Sequence, residues 1–124
     1  MRLFFCILGL AACSAEPAQM PSSATGGGAS CTQSADAARH KVQVAIDANR
    51  ACTTDADCTL VPAATSCFDS CTDVIAIGGE AAVEQSKASA EASECKAFAA
   101  AGCKLIAPPC VPPIPPTCRA GRCG

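Results

Sequence analysis

Cysteine is the residue that most limits what this chain can fold into. Of the 12 cysteines in the 124-residue chain, the ten that lie between residues 31 and 124 are Cys31, Cys52, Cys58, Cys67, Cys71, Cys95, Cys103, Cys110, Cys118 and Cys123. A segment of about 94 residues buries only about 60–65% of its unfolded surface. This one has no Trp or Tyr, and its only aromatic rings are those of Phe68 and Phe98. We therefore expect five disulfides to supply the stability that the core lacks, as in small exported domains.

The spacing of these cysteines does not determine how they pair. Closure of the short loop between Cys52 and Cys58 is the one local pairing that we favour. Zinc is the other use of closely spaced cysteines, and structural zinc sites usually contain paired C-x₂₋₄-C knuckles. This chain has no C-x₂-C pair and a single histidine, His40. We expect neither a metal site nor any other cofactor.

The apolar pattern predicts one small α+β domain over residues 31–124. Two helices are expected to pack on a short, mostly antiparallel sheet of three or four strands. The first helix is predicted over residues 35–50, with Ser34 as its N-cap. Its core face is expected to be Ala38, Val42, Ala45, Ile46 and Asn49.

The second helix is predicted over residues 80–101, between Gly79 and a stop at Gly102. Two neighbouring faces of small residues are expected to pack closely on the rest of the domain. They are Ala81, Ala88, Ala92, Cys95 and Ala99, and beside them Val83, Ala90, Ala97, Phe98 and Ala101.

Three short apolar runs and one turn signal predict the strands. The runs are residues 59–62, 74–77 and 104–107, and Gly121 marks a hairpin within residues 117–123. Residues 108–116 contain three Pro-Pro pairs and must be extended, close to polyproline II.

The N-terminus has the three-part layout of an export signal. Met1 and Arg2 precede the apolar residues 3–10, and the small residues of Leu10-Ala11-Ala12-Cys13 follow. The apolar run is too short to span a bilayer as a helix of about 20 residues. Leu10-Ala11-Ala12-Cys13 resembles the lipobox of bacterial lipoproteins. Simple secretion, or a retained N-terminal anchor, is the alternative.

The resemblance implies that residues 1–12 are a signal peptide that is removed, and that Cys13 becomes the lipidated N-terminus. Residues 13–30 would then be the lipidated cysteine and a flexible tether rich in Gly, Ser and Pro. Ser14 resembles the residue found in lipoproteins sorted to the outer membrane. Acylation of Cys13 would also leave an even number of cysteines, all able to pair.

Charge and motifs bound the function. The formal net charge is −2, and loss of Arg2 with the signal makes it −3, so nucleic acid and anionic lipid are disfavoured as ligands.

His40 has no accompanying nucleophile motif, so we expect no enzyme. Asp55 and Asp57 resemble the start of a calcium loop that does not continue, and we expect capping or turn formation instead. Asp69 and Asp73 are interpreted in the same way.

We expect a monomeric, non-catalytic envelope lipoprotein that contacts the membrane through its lipid and binds an unknown protein or envelope partner. The possible binding loop is Pro112, Pro113, Ile114, Pro115 and Pro116. The segment from Cys110 to Cys118 resembles the inhibitory loop of Bowman–Birk protease inhibitors, which implies a direct bond between these two cysteines. A rigid crossover and a polyproline ligand are the other interpretations. The bond presented to a protease would lie between Pro112 and Pro113, where that family has a specificity residue usually followed by Ser.

Overall fold

A computed structural model describes residues 27–124, with side-chain environments from Ser30 onward. The predicted signal peptide, Cys13 and residues 14–26 lie outside these residues. The described chain has two long helices, a 3₁₀ turn at Asp55–Asp57, four strands and five disulfides, which confirms the predicted α+β class. The strands form two separate two-stranded antiparallel sheets instead of one larger sheet.

Helix α1 spans Gly27–Ala48 and therefore begins before the predicted start at residue 35. Ser34 lies inside the helix and is not its N-cap. A disulfide joins Cys31, in the early part of α1, to Cys103 just beyond the second helix. This tertiary link holds the early part of α1 in place, which a local capping signal does not reveal. The predicted core face is confirmed at Ala38, Val42 and Ile46, which are buried, whereas Ala45 and Asn49 are half-buried.

Helix α2 is continuous over three segments: an α-helix at Glu80–Ala90, a π-helical turn at Glu91–Cys95 and an α-helix at Lys96–Ala100. It ends before Gly102, whose φ of 74° is the left-handed conformation expected of a helix stop. In a π turn, hydrogen bonds join residues five apart. Ala90 and Cys95, which are five apart, both face the core.

The first of the two faces predicted for α2 is wrong except at Cys95. The second is confirmed at Val83, Ala90 and Phe98, whereas Ala97 and Ala101 are exposed. Ala81, Ala88, Ala92 and Ala99 are exposed. An alanine methyl group removes little apolar area from water, so the larger side chains of Val83 and Phe98 fix the rotation of the helix.

The first sheet is a hairpin of β1 (Cys58–Pro62) and β2 (Thr72–Ala76), which confirms strands near both predicted positions. Val61 and Ile75 point into the core, whereas the directly paired Leu60 and Val74 lie on the outer face. The second sheet is a tight hairpin of β3 (Cys118–Arg119) and β4 (Arg122–Cys123). Its turn contains Gly121 with a φ of 74°, as the sequence predicts.

The strand predicted over residues 104–107 is absent from the part of the chain that the structure describes. Two prolines follow it directly, and proline has no N–H to donate to a ladder. Among the described residues, residues 104–116 make no backbone hydrogen bond to either sheet.

Helices α1 and α2 and the β1–β2 hairpin share one core. Phe68 is the largest fully buried side chain of this core, and the Arg39 guanidinium carbon lies 5.7 Å from the centroid of its ring. At the end of α1, Arg50 Nη2 donates to Asp73 Oδ1 at 2.7 Å and Nη1 donates to the Cys123 carbonyl at 3.3 Å. Arg50 thereby joins the C-terminal hairpin to the core. Among residues 27–124, no helix combines the length and the hydrophobicity needed to cross a bilayer.

The five disulfides are Cys31–Cys103, Cys52–Cys118, Cys58–Cys123, Cys67–Cys95 and Cys71–Cys110. The predicted closure of Cys52 with Cys58 is wrong. Hydrogen bonds close that loop instead, since Asp57 Oδ2 accepts from the Thr53 and Thr54 N–H groups at 2.8 and 2.7 Å. Both cysteines are thereby left to bond the C-terminal hairpin.

Candidate functional site

The candidate site is the proline strap, which we define as residues 104–116. It leaves the end of α2 and crosses to the C-terminal hairpin. Three disulfides fix it: Cys103 to Cys31 before it, Cys110 to Cys71 within it, and Cys118 to Cys52 beyond it. The strap contains the predicted binding loop, Pro112 to Pro116.

The backbone of the strap is not held by secondary structure. Among the described residues, no backbone hydrogen bond involves residues 104–116, whereas Thr117 exchanges two with Gly124 at 2.9 and 3.0 Å. Six of the thirteen strap residues are prolines, which fix φ near −65° without any hydrogen bond. Proline rings and disulfides therefore order this segment.

The strap exposes its apolar side chains. Ile106, Val111 and Ile114 keep 91%, 82% and 85% of their surface accessible. These values are unusual for aliphatic residues, which are normally among the most buried. Three of them within nine residues of one rigid segment form an apolar surface of the kind that binds partners.

Ile114 separates two hollows. The first, of about 230 Å³, lies against the outer face of the β1–β2 hairpin and is lined by Leu60, Val74 and Val111 among others. The second, of about 510 Å³, is lined by Ile114, Pro115, Thr117, Arg119 and Gly124. Ile114 thus lines two hollows, and the surface of both is mainly apolar.

The end of the strap is positioned by a polar loop. Asp55 Oδ1 accepts a hydrogen bond from the N–H of Cys118 at 2.6 Å. Two residues on, Asp57 closes the loop that carries Cys52, and the hydrogen bonds from Thr54 and Thr53 lower the pKa of its carboxyl group below 3.8. The two carboxylates therefore position the disulfide that ends the strap, which agrees with the predicted capping role of Asp57.

The predicted inhibitory loop is not formed. Cys110 is bonded to Cys71 and Cys118 to Cys52, so no disulfide closes the segment between Cys110 and Cys118. The hypothesis of a Bowman–Birk-like inhibitor required that direct bond and is withdrawn. The two cysteines face different parts of the domain because the first follows α2 and the second begins β3.

A lysine–serine cluster elsewhere joins the two helices. Lys41 Nζ donates to Glu94 Oε2 at 2.8 Å and to the Ser93 hydroxyl at 3.0 Å. The hydrogen bond from Lys41, and a second one that the Ser93 hydroxyl donates to Glu94 Oε2, lower the pKa of the Glu94 carboxyl group below its ordinary value. The cluster links α1 to the π turn of α2.

The remaining residues that the sequence singled out are Asp69, Asp73, His40 and the cysteines considered as metal ligands. Asp69 Oδ1 accepts from the Cys71 N–H at 3.1 Å, which confirms a turn role. Asp73 instead pairs with Arg50. His40 is exposed on α1. Two groups of metal-type ligand atoms occur in residues 27–124: Cys52, Cys58 and Cys123, and Asp69, Cys71 and Cys110. All their sulfur atoms are in disulfides and offer no thiolate.

Sequence reasoning named Pro112 to Pro116 but missed Ile106, Val111 and the outer-face residues Leu60 and Val74. Its mistake was to place Ile106 in a strand. The available signal was the Pro-Pro pair that begins two residues after Ile106, because prolines cannot donate to a sheet ladder and so cannot extend a central strand. No family model, curated protein or solved structure matches the chain.

Proposed function

We propose that this protein is a lipid-anchored lipoprotein of the bacterial envelope whose domain binds a partner without catalysis. Cys13 carries the lipid, the following residues are a spacer, and the proline strap is the binding element. The outer membrane is the proposed location. The observation that carries the proposal is the strap itself, an exposed apolar segment fixed by three disulfides.

The energetics of the strap support a binding role. Exposed aliphatic side chains favour association, because a partner that covers them removes about 25 cal/mol of unfavourable hydration per Å². A segment already fixed by proline rings and disulfides loses little conformational entropy when it binds. The strap therefore combines an apolar surface with a low cost of ordering.

The cysteine pairing supports the anchor. The ten cysteines from Cys31 to Cys123 all bond to one another. Cys13 has no disulfide partner left among them, and an unpaired thiol is a liability in an oxidising compartment. Acylation removes that thiol, in keeping with Leu10-Ala11-Ala12-Cys13 as a lipobox.

The charged side chains support a non-catalytic domain. Within residues 27–124, the clustered ones serve structural contacts: Lys41 with Glu94, Arg50 with Asp73, and Asp57 with its own loop. A catalytic site needs a nucleophile or base poised beside a place for substrate. These groups are instead satisfied by one another.

The anchor is tested by the intact mass of the full chain from the membrane fraction, before and after reduction. We expect a mass that begins at Cys13 plus acyl groups and rises by about ten hydrogens on reduction of five bridges. Cys13→Ala should release the protein from the membrane fraction. Cys6→Ala, in the part removed with the signal, is the matched control and should change nothing. An unlipidated mass in the soluble fraction would contradict the anchor.

A further inference from the structure

We infer that the partner of the proline strap is a protein groove lined by Trp or Tyr side chains that donate hydrogen bonds. This inference rests on the proposed function, because it takes the strap as the binding element. The inference specifies the chemistry of the partner, and it assigns Ile114 as the central contact. Three properties of the strap lead to it: its hydrogen-bonding groups, its charge and its shape.

The strap offers hydrogen-bond acceptors and almost no donors. Residues 108–116 carry nine backbone carbonyls but only three backbone N–H groups, those of Cys110, Val111 and Ile114. Among the described residues these carbonyls accept no backbone hydrogen bond. A partner that covers them must supply donors, because a buried carbonyl without one is costly. The indole N–H of Trp and the hydroxyl of Tyr are donors attached to large apolar surfaces.

After Lys104 the strap carries no charge of its own, and the charged side chain that lines the hollow beside Ile114 is Arg119. From Leu105 to Cys118 the chain has no charged side chain. Recognition by the strap itself must then come from packing and hydrogen bonds. Aromatic side chains provide both to proline-rich segments, since the flat proline rings pack on the aromatic faces. The protruding Ile114, with a hollow on each side, would be the side chain that fixes the register.

A second copy of this chain does not fit the role. The chain has no Trp and no Tyr, and the domain's two aromatic rings, Phe68 and Phe98, are only 1% and 7% exposed. A bilayer does not fit either. Inserting the strap into the hydrocarbon region would bury its carbonyls without donors.

The test uses the full chain in the bacterial envelope with a photo-crosslinking residue at single positions. Ile114→p-benzoylphenylalanine is compared with Ile77→p-benzoylphenylalanine. Ile77 is the matched control, because it is a 63% exposed isoleucine in the turn between β2 and α2, outside the strap. The crosslinked peptide is identified by mass spectrometry.

We expect an adduct from position 114 and none from position 77, with the crosslinked peptide next to a Trp or Tyr of another protein. Replacing that aromatic residue with Ala should lower the yield at least about tenfold. With the crosslinker at Val111, Ile114→Asp should cause a similar loss, whereas Ile77→Asp should cause none.

Other outcomes overturn the inference. Adducts to lipid, or to a second copy of the chain, would exclude an aromatic protein groove. An adduct to a protein surface without Trp or Tyr would refute the partner class and leave the binding function standing. Equal adducts from both positions, or none from position 114, would remove the strap as the binding element, and the binding part of the proposed function with it. The mass test of Cys13 would still decide the anchor separately.

Discussion

The helical core and the proline strap are ordered by different forces. In the core, the side chains of α1, α2 and the β1–β2 hairpin exclude water and hold each other in place. The strap buries none of its own aliphatic residues, and over residues 104–124 only Cys123 is buried. Covalent bonds and proline rings replace burial there. The difference shows that a small chain poor in large side chains can keep an apolar segment on its surface and still fix its shape.

The largest expected effect is the difference in stability between truncating a buried side chain of the core and truncating an exposed side chain of the strap. Phe68→Ala should lower the free energy of unfolding by about 3–5 kcal/mol, because it leaves a cavity at a fully buried site. Ile114→Ala is the matched change in the strap and should shift it by no more than about 0.5 kcal/mol. Urea unfolding with intact disulfides measures both. Comparable losses from the two variants would mean that Ile114 contributes to a core, contrary to its exposure.

The second test compares a core disulfide with the strap disulfide. Replacing both Cys67 and Cys95, which are buried, with Ala should cost about 2–5 kcal/mol. The same change at Cys71 and Cys110 should cost about 1 kcal/mol or less, because the strap gains freedom in the folded state as well. It should lower the amide order parameters of Val111 and Ile114 from about 0.85 to below about 0.6.

The measurements are urea unfolding for stability and NMR relaxation for the strap. Unchanged order parameters after loss of the Cys71–Cys110 bond would show that non-covalent contacts hold the strap. The proposed contrast between the two regions would then be wrong.

The smallest expected effect depends on pH and concerns the loop that carries Cys52. The pKa of Asp57 is lowered in the folded state by hydrogen bonds from Thr54 and Thr53. The ionised Asp57 carboxylate therefore contributes fully to the free energy of unfolding above its unfolded pKa, near 3.8. This contribution is lost as the pH falls through the lower pKa of the folded state. Stability should decline below about pH 4, and Asp57→Asn should remove part of that decline.

The control for this prediction is Asp36→Asn, at an exposed carboxylate of α1 paired with Arg39. It should leave the slope of stability against pH nearly unchanged. The pKa of Glu94 is also lowered in the folded state. We therefore attribute to Glu94 the loss of stability at acidic pH that remains in Asp57→Asn. An unchanged slope in Asp57→Asn would show that the carboxylate does not support the loop.

Local signals in the sequence located most of the elements of this fold, although not the start of α1. Both helices, the β1–β2 strands and the turn at Gly121 follow from residue periodicity and glycine placement. The run of residues 104–107 misled the prediction, because it resembles a strand until the prolines after it are considered. The alanine face of α2 misled it for another reason. Alanine favours a helix without indicating which side is buried, and the few larger side chains decided that.

The sequence by itself determined that this domain would be tied by disulfides and that its proline-rich segment would be extended, because cysteine number and proline geometry are local properties. Only the tertiary structure decided which cysteines pair. All five bridges join cysteines at least 28 residues apart, and such distances along the chain are bridged by packing of the helices and hairpins. The exposure of Ile114 was decided in the same way, since burial depends on which surfaces the rest of the chain leaves uncovered.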